Sequence, residues 1–321
     1  MKKTIGWIAG ALILAGIILC AAAAVFCDFG SGGMNTMSLV RKTYSVGQDF
    51  SAVSISDESS NVRLLPSGDG ECRVVCSESE NGKLHYDVTV SEGVLTVQRI
   101  DQRDLLERVG ISFGGTDLEL YLPKTEYDRL TVRTSSGSIL VPEDFRFGEA
   151  QGEASSGGII FSASVDESLT LNAASGSISV SGVSPRSLSA SALSGSVTLE
   201  AVNAEETLYG ETSSGTLSLT GVRCGELTAQ STSGGIHLTD VVASGTVTAQ
   251  SSSGSVRLNR CDGAELFIRT SSGSVSGTLL SDKVFLTETA SGSVRVPRTV
   301  TGGACEITTS SGSIDISIQL D

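Results

Sequence analysis

The chain has 321 residues, 39% of them hydrophobic, and 22 Lys and Arg against 36 Asp and Glu give it a net charge of −14. Nucleic acid rewards clustered Lys and Arg, so this balance excludes it as a partner and agrees with an exported globular chain.

The first 27 residues read as a membrane segment. After Lys2 and Lys3 an uncharged, mainly apolar run extends over 4–27, long enough for a bilayer crossing of about 20 residues. The two lysines place the amino terminus in the cytoplasm and the remainder outside. We expect an uncleaved single-pass anchor in the cell membrane with an extracytoplasmic C-terminal domain. The alternative is secretion after cleavage of a signal peptide at the small residues Ala21 to Ala24. The bulky Leu19 before Cys20 argues against lipoprotein processing. Residues 28–43, with Gly30, Ser31, Gly32 and Gly33, read as a flexible stalk.

Residues 44–128 predict an irregular β lead-in that caps the repeats. Strand-like segments stand at 50–55, 61–65, 72–76, 85–90, 94–97 and 117–122, separated by turn signals such as Asn81-Gly82. A short helix is expected over 103–109.

From residue 129 to 321 a Ser-rich phrase ending in Gly recurs every 19 or 20 residues, at Gly137, Gly157, Gly176, Gly195, Gly215, Gly234, Gly254, Gly273, Gly292 and Gly312. A fixed period of that length signals a solenoid. Two residues after each Gly stands an aliphatic residue, from Ile139 to Ile314, and two further on a second apolar column broken only by Gly277. Seven residues before each Gly runs a third, from Leu130 to Cys305. Apolar spacing of two within segments rich in Ser, Thr and Val predicts strands. The fold class is therefore all-β: a single-stack, β-helix-like β-solenoid of about ten coils. The Gly is expected to supply a positive φ at the turn. No coil can meet its own ordering entropy, so stability has to come from stacking.

Cysteine positions do not suggest a disulfide framework. Cys305 and Cys261 fall in apolar columns and read as small core residues. Cys72 and Cys76 share one strand face but lie about 13 Å apart, too far for a bond along that strand. Cys224 falls in a return loop.

Catalytic, cofactor and metal sites are not predicted. His85 and His237 are far apart in sequence, and no base recurs beside the repeated Ser. Glu153, Glu211 and Glu288 share an outward column but are separated by intervening coils, which does not suit a glycosidase pair. Acidic residues such as Asp144, Asp166, Glu206 and Asp240 gather in the return segments and read as a solvated edge. The candidate binding surface is the outward polar set Arg133, Asn172, Gln230, His237, Gln250, Arg257, Arg269 and Arg295.

The strand and Leu-Pro over 118–123, the segment 127–132 and the recurring Ser-Gly-Ser-Ile turns resemble the bacterial putative-adhesin family of domain-of-unknown-function proteins, across roughly residues 45–320. The resemblance implies a β-solenoid ectodomain at the bacterial cell envelope, in some relatives linked to envelope-stress systems, and it brings no catalytic residues. The expected function is binding or scaffolding at the envelope, with a surface polymer or a membrane protein as partner. A regulatory partner of an envelope-stress membrane protein and a glycan-active β-helix enzyme are the alternatives. With nothing recognisable capping the last coil, end-to-end self-association is expected to be open to it.

Overall fold

The computed structural model describes residues 39–104 and 117–319. The predicted membrane segment, the stalk as far as residue 38 and all of the predicted short helix except Arg103 and Asp104 lie outside them. Arg103 and Asp104 are not helical. Among the described residues no helix is long and apolar enough to cross a membrane. Apart from Arg103 and Asp104, they fall in one compact unit.

Every element among the described residues is a strand. The lead-in contributes β1 (Leu39–Val46), β2 (Ala52–Asp57), β3 (Asn61–Pro66), β4 (Cys72–Ser79), β5 (Leu84–Ser91), β6 (Val94–Asp101) and β7 (Asp117–Leu122). The repeats begin with β8 (Glu126–Thr134), β9 (Ile139–Val141), β10 (Arg146–Ala154), β11 (Ile159–Phe161), β12 (Ser164–Ala173) and β13 (Ile178–Ser181). They continue through β14 (Ser187–Ala192), β15 (Val197–Glu200), β16 (Asn203–Thr212), β17 (Leu217–Thr220), β18 (Arg223–Ser231) and β19 (Ile236–Thr239). The run closes with β20 (Val242–Ala243), β21 (Thr246–Ser251), β22 (Val256–Cys261), β23 (Glu265–Thr270), β24 (Val275–Leu279), β25 (Lys283–Thr289), β26 (Val294–Arg295), β27 (Gly303–Thr309) and β28 (Ile314–Ile318).

Each coil has one strand before its Gly and a second, usually shorter one after it, and coils pair in parallel within two 14-stranded sheets. The expected apolar columns are the core. Leu130, Leu169, Leu208 and Leu266 on the long strands and Ile139, Ile178, Leu217 and Val275 on the short ones are all at most 1% exposed. A fourth inward column went unpredicted because it contains Gly and Ala: Val132, Gly152, Leu171, Ala190, Gly210 and Ala229 are partners coil to coil. Small residues are needed there, since a Cβ on Gly152 would lie 2.9 Å from Leu171 Cδ2 and one on Gly210 3.0 Å from Leu217 Cδ1. Cys224 also differs from expectation: it lies in β18, buried like Cys261 and Cys305.

The turn glycines serve a different purpose from the one the sequence suggests. None of the ten has a positive φ. A Cβ on Gly234 would instead sit 1.6 Å from the Gly215 carbonyl oxygen, and one on Gly176 1.9 Å from that of Gly157. Glycine is required because each turn rests on the backbone of the turn stacked beside it. Positive φ occurs six residues later, at the far end of the short strand: Gly182 (69°), Ala201 (51°), Gly221 (62°), Asp240 (52°) and Arg260 (56°). Gly277, which broke the apolar column, has φ 151° and meets the Leu258 backbone where β22 and β24 shift register.

The lead-in is more regular than predicted. Strands β2 and β3 form a full coil that stacks on β8 and β9, with Val53 opposite Leu130 and Val62 opposite Ile139. Strands β6 and β7 form a second coil outside it. The cap is antiparallel: β1 and β4 beyond β7, and β5 beyond β6. Residues 39–43, expected in the stalk, therefore belong to β1. The other end is also reordered, because β27 and β28 insert between the β23–β24 coil and the β25–β26 coil.

Candidate binding surface

Strand alternation turns the residue four before each Gly outward, and parallel pairing in register aligns these residues across coils. The resulting column reads Ser56, Arg133, Glu153, Asn172, Ser191, Glu211, Gln230, Gln250, Arg269, Thr308 and Glu288. It contains five of the eight predicted surface residues: Arg133, Asn172, Gln230, Gln250 and Arg269.

Beside this column, two residues before each Gly, stand the small side chains Ser135, Ser155, Ala174 and Ser213. Their size opens a groove of about 670 Å³ running across the coils from Asp57 and Glu58 to Glu211 and Ser213. A second stretch of about 280 Å³ continues it past Gln230, Gln250 and Arg269. Leu193 replaces the usual small residue and is 60% exposed in the groove. Sequence reasoning missed these lining residues, although the recurring small side chain before the Ser-Gly step was the available signal.

The remaining three predicted residues lie on the other sheet. His237 and Arg257 are partners on β19 and β22, with Arg257 Nη1 3.0 Å from His237 Nε2. Arg295 on β26 pairs with Asp315 at 3.4 Å. The eight therefore divide between two outer faces and cannot meet one ligand lying on a single sheet.

Charges along the groove are largely matched in place. Arg133 Nε donates to Glu153 Oε2 at 3.0 Å, and Gln151 donates to the same carboxylate at 2.8 Å. The Tyr209 hydroxyl donates to Glu211 at 2.8 Å. Burial, and then Glu211 beside it, push the Tyr209 phenol up to about 12, so it stays a donor at neutral pH. Between these pairs Asn172, Ser191, Gln230 and Gln250 present amides and hydroxyls. Glu153 and Glu211 are three coils apart, about 14 Å at the strand spacing, wider than the roughly 5–9.5 Å of a glycosidase carboxylate pair. Among the described residues no group of three His, Cys, Asp or Glu could hold a metal ion.

A family model described as Toastrack DUF4097 matches residues 50–208 and, a second time, 185–321. No curated protein matches the chain. Among solved structures, a "putative adhesin" from Parabacteroides distasonis is similar at 14% identity and TM-score 0.46, over 88% of this chain and 98% of that one. A "putative lipid binding protein" from the same species shares 15% identity at TM-score 0.41, covering 86% and 96%. A "putative adhesin" from Parabacteroides merdae shares 14% at TM-score 0.39, covering 87% and 96%.

Proposed function

The chain belongs to the Toastrack DUF4097 family, and on that premise we propose that it binds an extended, hydroxyl-rich polymer at the bacterial cell surface. The observation that carries this reading is the unbroken outward column from Arg133 to Arg269 beside its groove. Parallel coils repeat every 4.8 Å or so, so a polymer lying across them meets an equivalent polar group at each step. The amides and hydroxyls from Asn172 to Gln250 suit sugar hydroxyls, and exposed Leu193 suits the apolar face of a ring. The run at 4–27 would hold the protein in the membrane with the solenoid outside.

The test measures retention of the full chain on purified cell-wall polysaccharide. Ala174→Trp fills the groove and should abolish retention, whereas Arg257→Glu on the other sheet should leave it intact. Equal loss in both variants, or no retention of the parent chain, would refute the reading. A photo-crosslinking residue at Ala174 in living cells separates the partners. Capture of a polymer supports the proposal, and capture of a single membrane protein overturns it in favour of a regulatory role.

A further inference from the structure

The two ends of the stack are finished differently. At the end nearer the amino terminus the sheets close with β1 and β5, and β1 carries the edge charges Arg41 and Lys42, held by Glu119 and Glu78. At the other end β25 and β26 are each last in their sheet. Among the described residues no strand lies beyond their outer edges, an arrangement that invites further strand pairing.

Exposed apolar side chains gather at that open end. Val284, Leu286, Val294 and Val300 are 38%, 57%, 44% and 89% exposed. Phe285 and Val296 continue the core columns but are only partly buried, since β25 and β26 are the last described strands of their sheets. The return segment crosses at the start of β25, where the Thr299 hydroxyl donates to the Lys283 carbonyl. Among the described residues no other strand pairs with this edge.

We propose that this end face pairs with the same face of a second copy, giving a closed twofold dimer. The chain enters the Gly292 turn along β25 and leaves along β26, so the two strands run in opposite directions. A twofold axis parallel to the strands then sets β25 antiparallel to the partner's β26, turn beside turn. The residue five before a turn glycine packs against the one two after it, as Gly210 does on Leu217, so Glu288 of each copy lies about 7 Å along the strand from the partner's Arg295, within reach of two long side chains. The face is self-complementary in hydrogen bonding, apolar contact and charge, as a twofold interface requires. Seven residues of β25 and two sheets with their side chains give on the order of 500 Å² per copy. That lies near the floor of about 1,000 Å² in total for a specific interface, so the dimer depends on concentration.

Sedimentation velocity of the full chain in detergent, over a concentration series, tests this. A monomer–dimer equilibrium with no larger species is expected. Leu286→Lys should weaken the dimer at least tenfold, while Ile160→Lys, at an exposed apolar site away from the end, should not. Glu288→Arg and Arg295→Glu should each weaken it, and the double variant should recover it. Circular dichroism melts check that each variant folds. A monomer at every concentration, open filaments, or a dimer indifferent to these changes would overturn the proposal.

Discussion

Asp57 and Thr134 are register partners in adjacent coils and close the same turn in the same way. Asp57 Oδ1 accepts a hydrogen bond from the Ser60 N–H at 2.7 Å, and Thr134 Oγ1 accepts one from the Gly137 N–H at 3.1 Å. Later coils repeat the Thr or Ser form at Thr212, Ser251, Thr270 and Thr309. Among the described turns closed in this way, the coil of β2 and β3 alone uses a carboxylate, and it is neutralised by Arg99 from the coil outside, 3.3 Å away, with the Tyr86 hydroxyl donating at 2.6 Å.

The Asp57 side chain is 0% and the Arg99 side chain 4% exposed, so removing the carboxylate leaves a buried cation without its charge partner. Asp57→Ala should cost about 3–5 kcal/mol, read as a lower denaturation midpoint or as faster hydrogen exchange in β2 and β6.

Burial alone would raise the Asp57 carboxyl, but hydrogen bonds from Ser60, Tyr86 and Ser59, together with the charge of Arg99, outweigh it and hold the group below its ordinary value. The stabilisation is thus complete above the unfolded value near 4 and is lost as pH falls through the lower folded value. Denaturation between about pH 2 and 6 should show a shallower acid loss in Asp57→Asn than in the parent. Identical slopes would mean that other carboxylates dominate.

The turn glycines and the left-handed glycines should respond differently to alanine. Gly234→Ala forces coils apart against the Gly215 carbonyl and should cost about 3 kcal/mol. Gly182 has nothing within 4 Å of its would-be Cβ, so Gly182→Ala should cost only the left-handed conformation, about 1–2 kcal/mol. Thermal melts of the two variants decide; equal losses would contradict the close-approach argument.

Ala201 holds φ 51° without being glycine. Ala201→Gly should therefore stabilise the protein by up to about 1 kcal/mol, seen as a rise in melting temperature. A fall would show that chain entropy outweighs the strain.

Burial pushes the Cys72, Cys76 and Cys305 thiols up to about 12 and those of Cys224 and Cys261 up to about 11. All five are free and buried. Iodoacetamide at pH 8 should leave them unlabelled in the native protein and label all five in denaturant, by peptide mass. Native labelling of Cys305 would place its coil in an open state.

Much of this fold was legible because coil-to-coil pairing repeats the sequence period: Ile159 faces Ile178 and Ile178 faces Val197 for the same reason that they align on paper. The period, the inward columns and the outward polar ladder needed only strand alternation. The groove was partly legible, since Arg133, Asn172 and Gln250 were named but the small residues that hollow it were not.

Tertiary structure alone decided the order of the coils at both ends, because a parallel strand offers the same backbone hydrogen bonds to any neighbour and only long-range packing selects which free edge is filled. It also decided why the turn glycines are glycine: the clash is with a carbonyl one coil away, and no local sequence signal reports that distance.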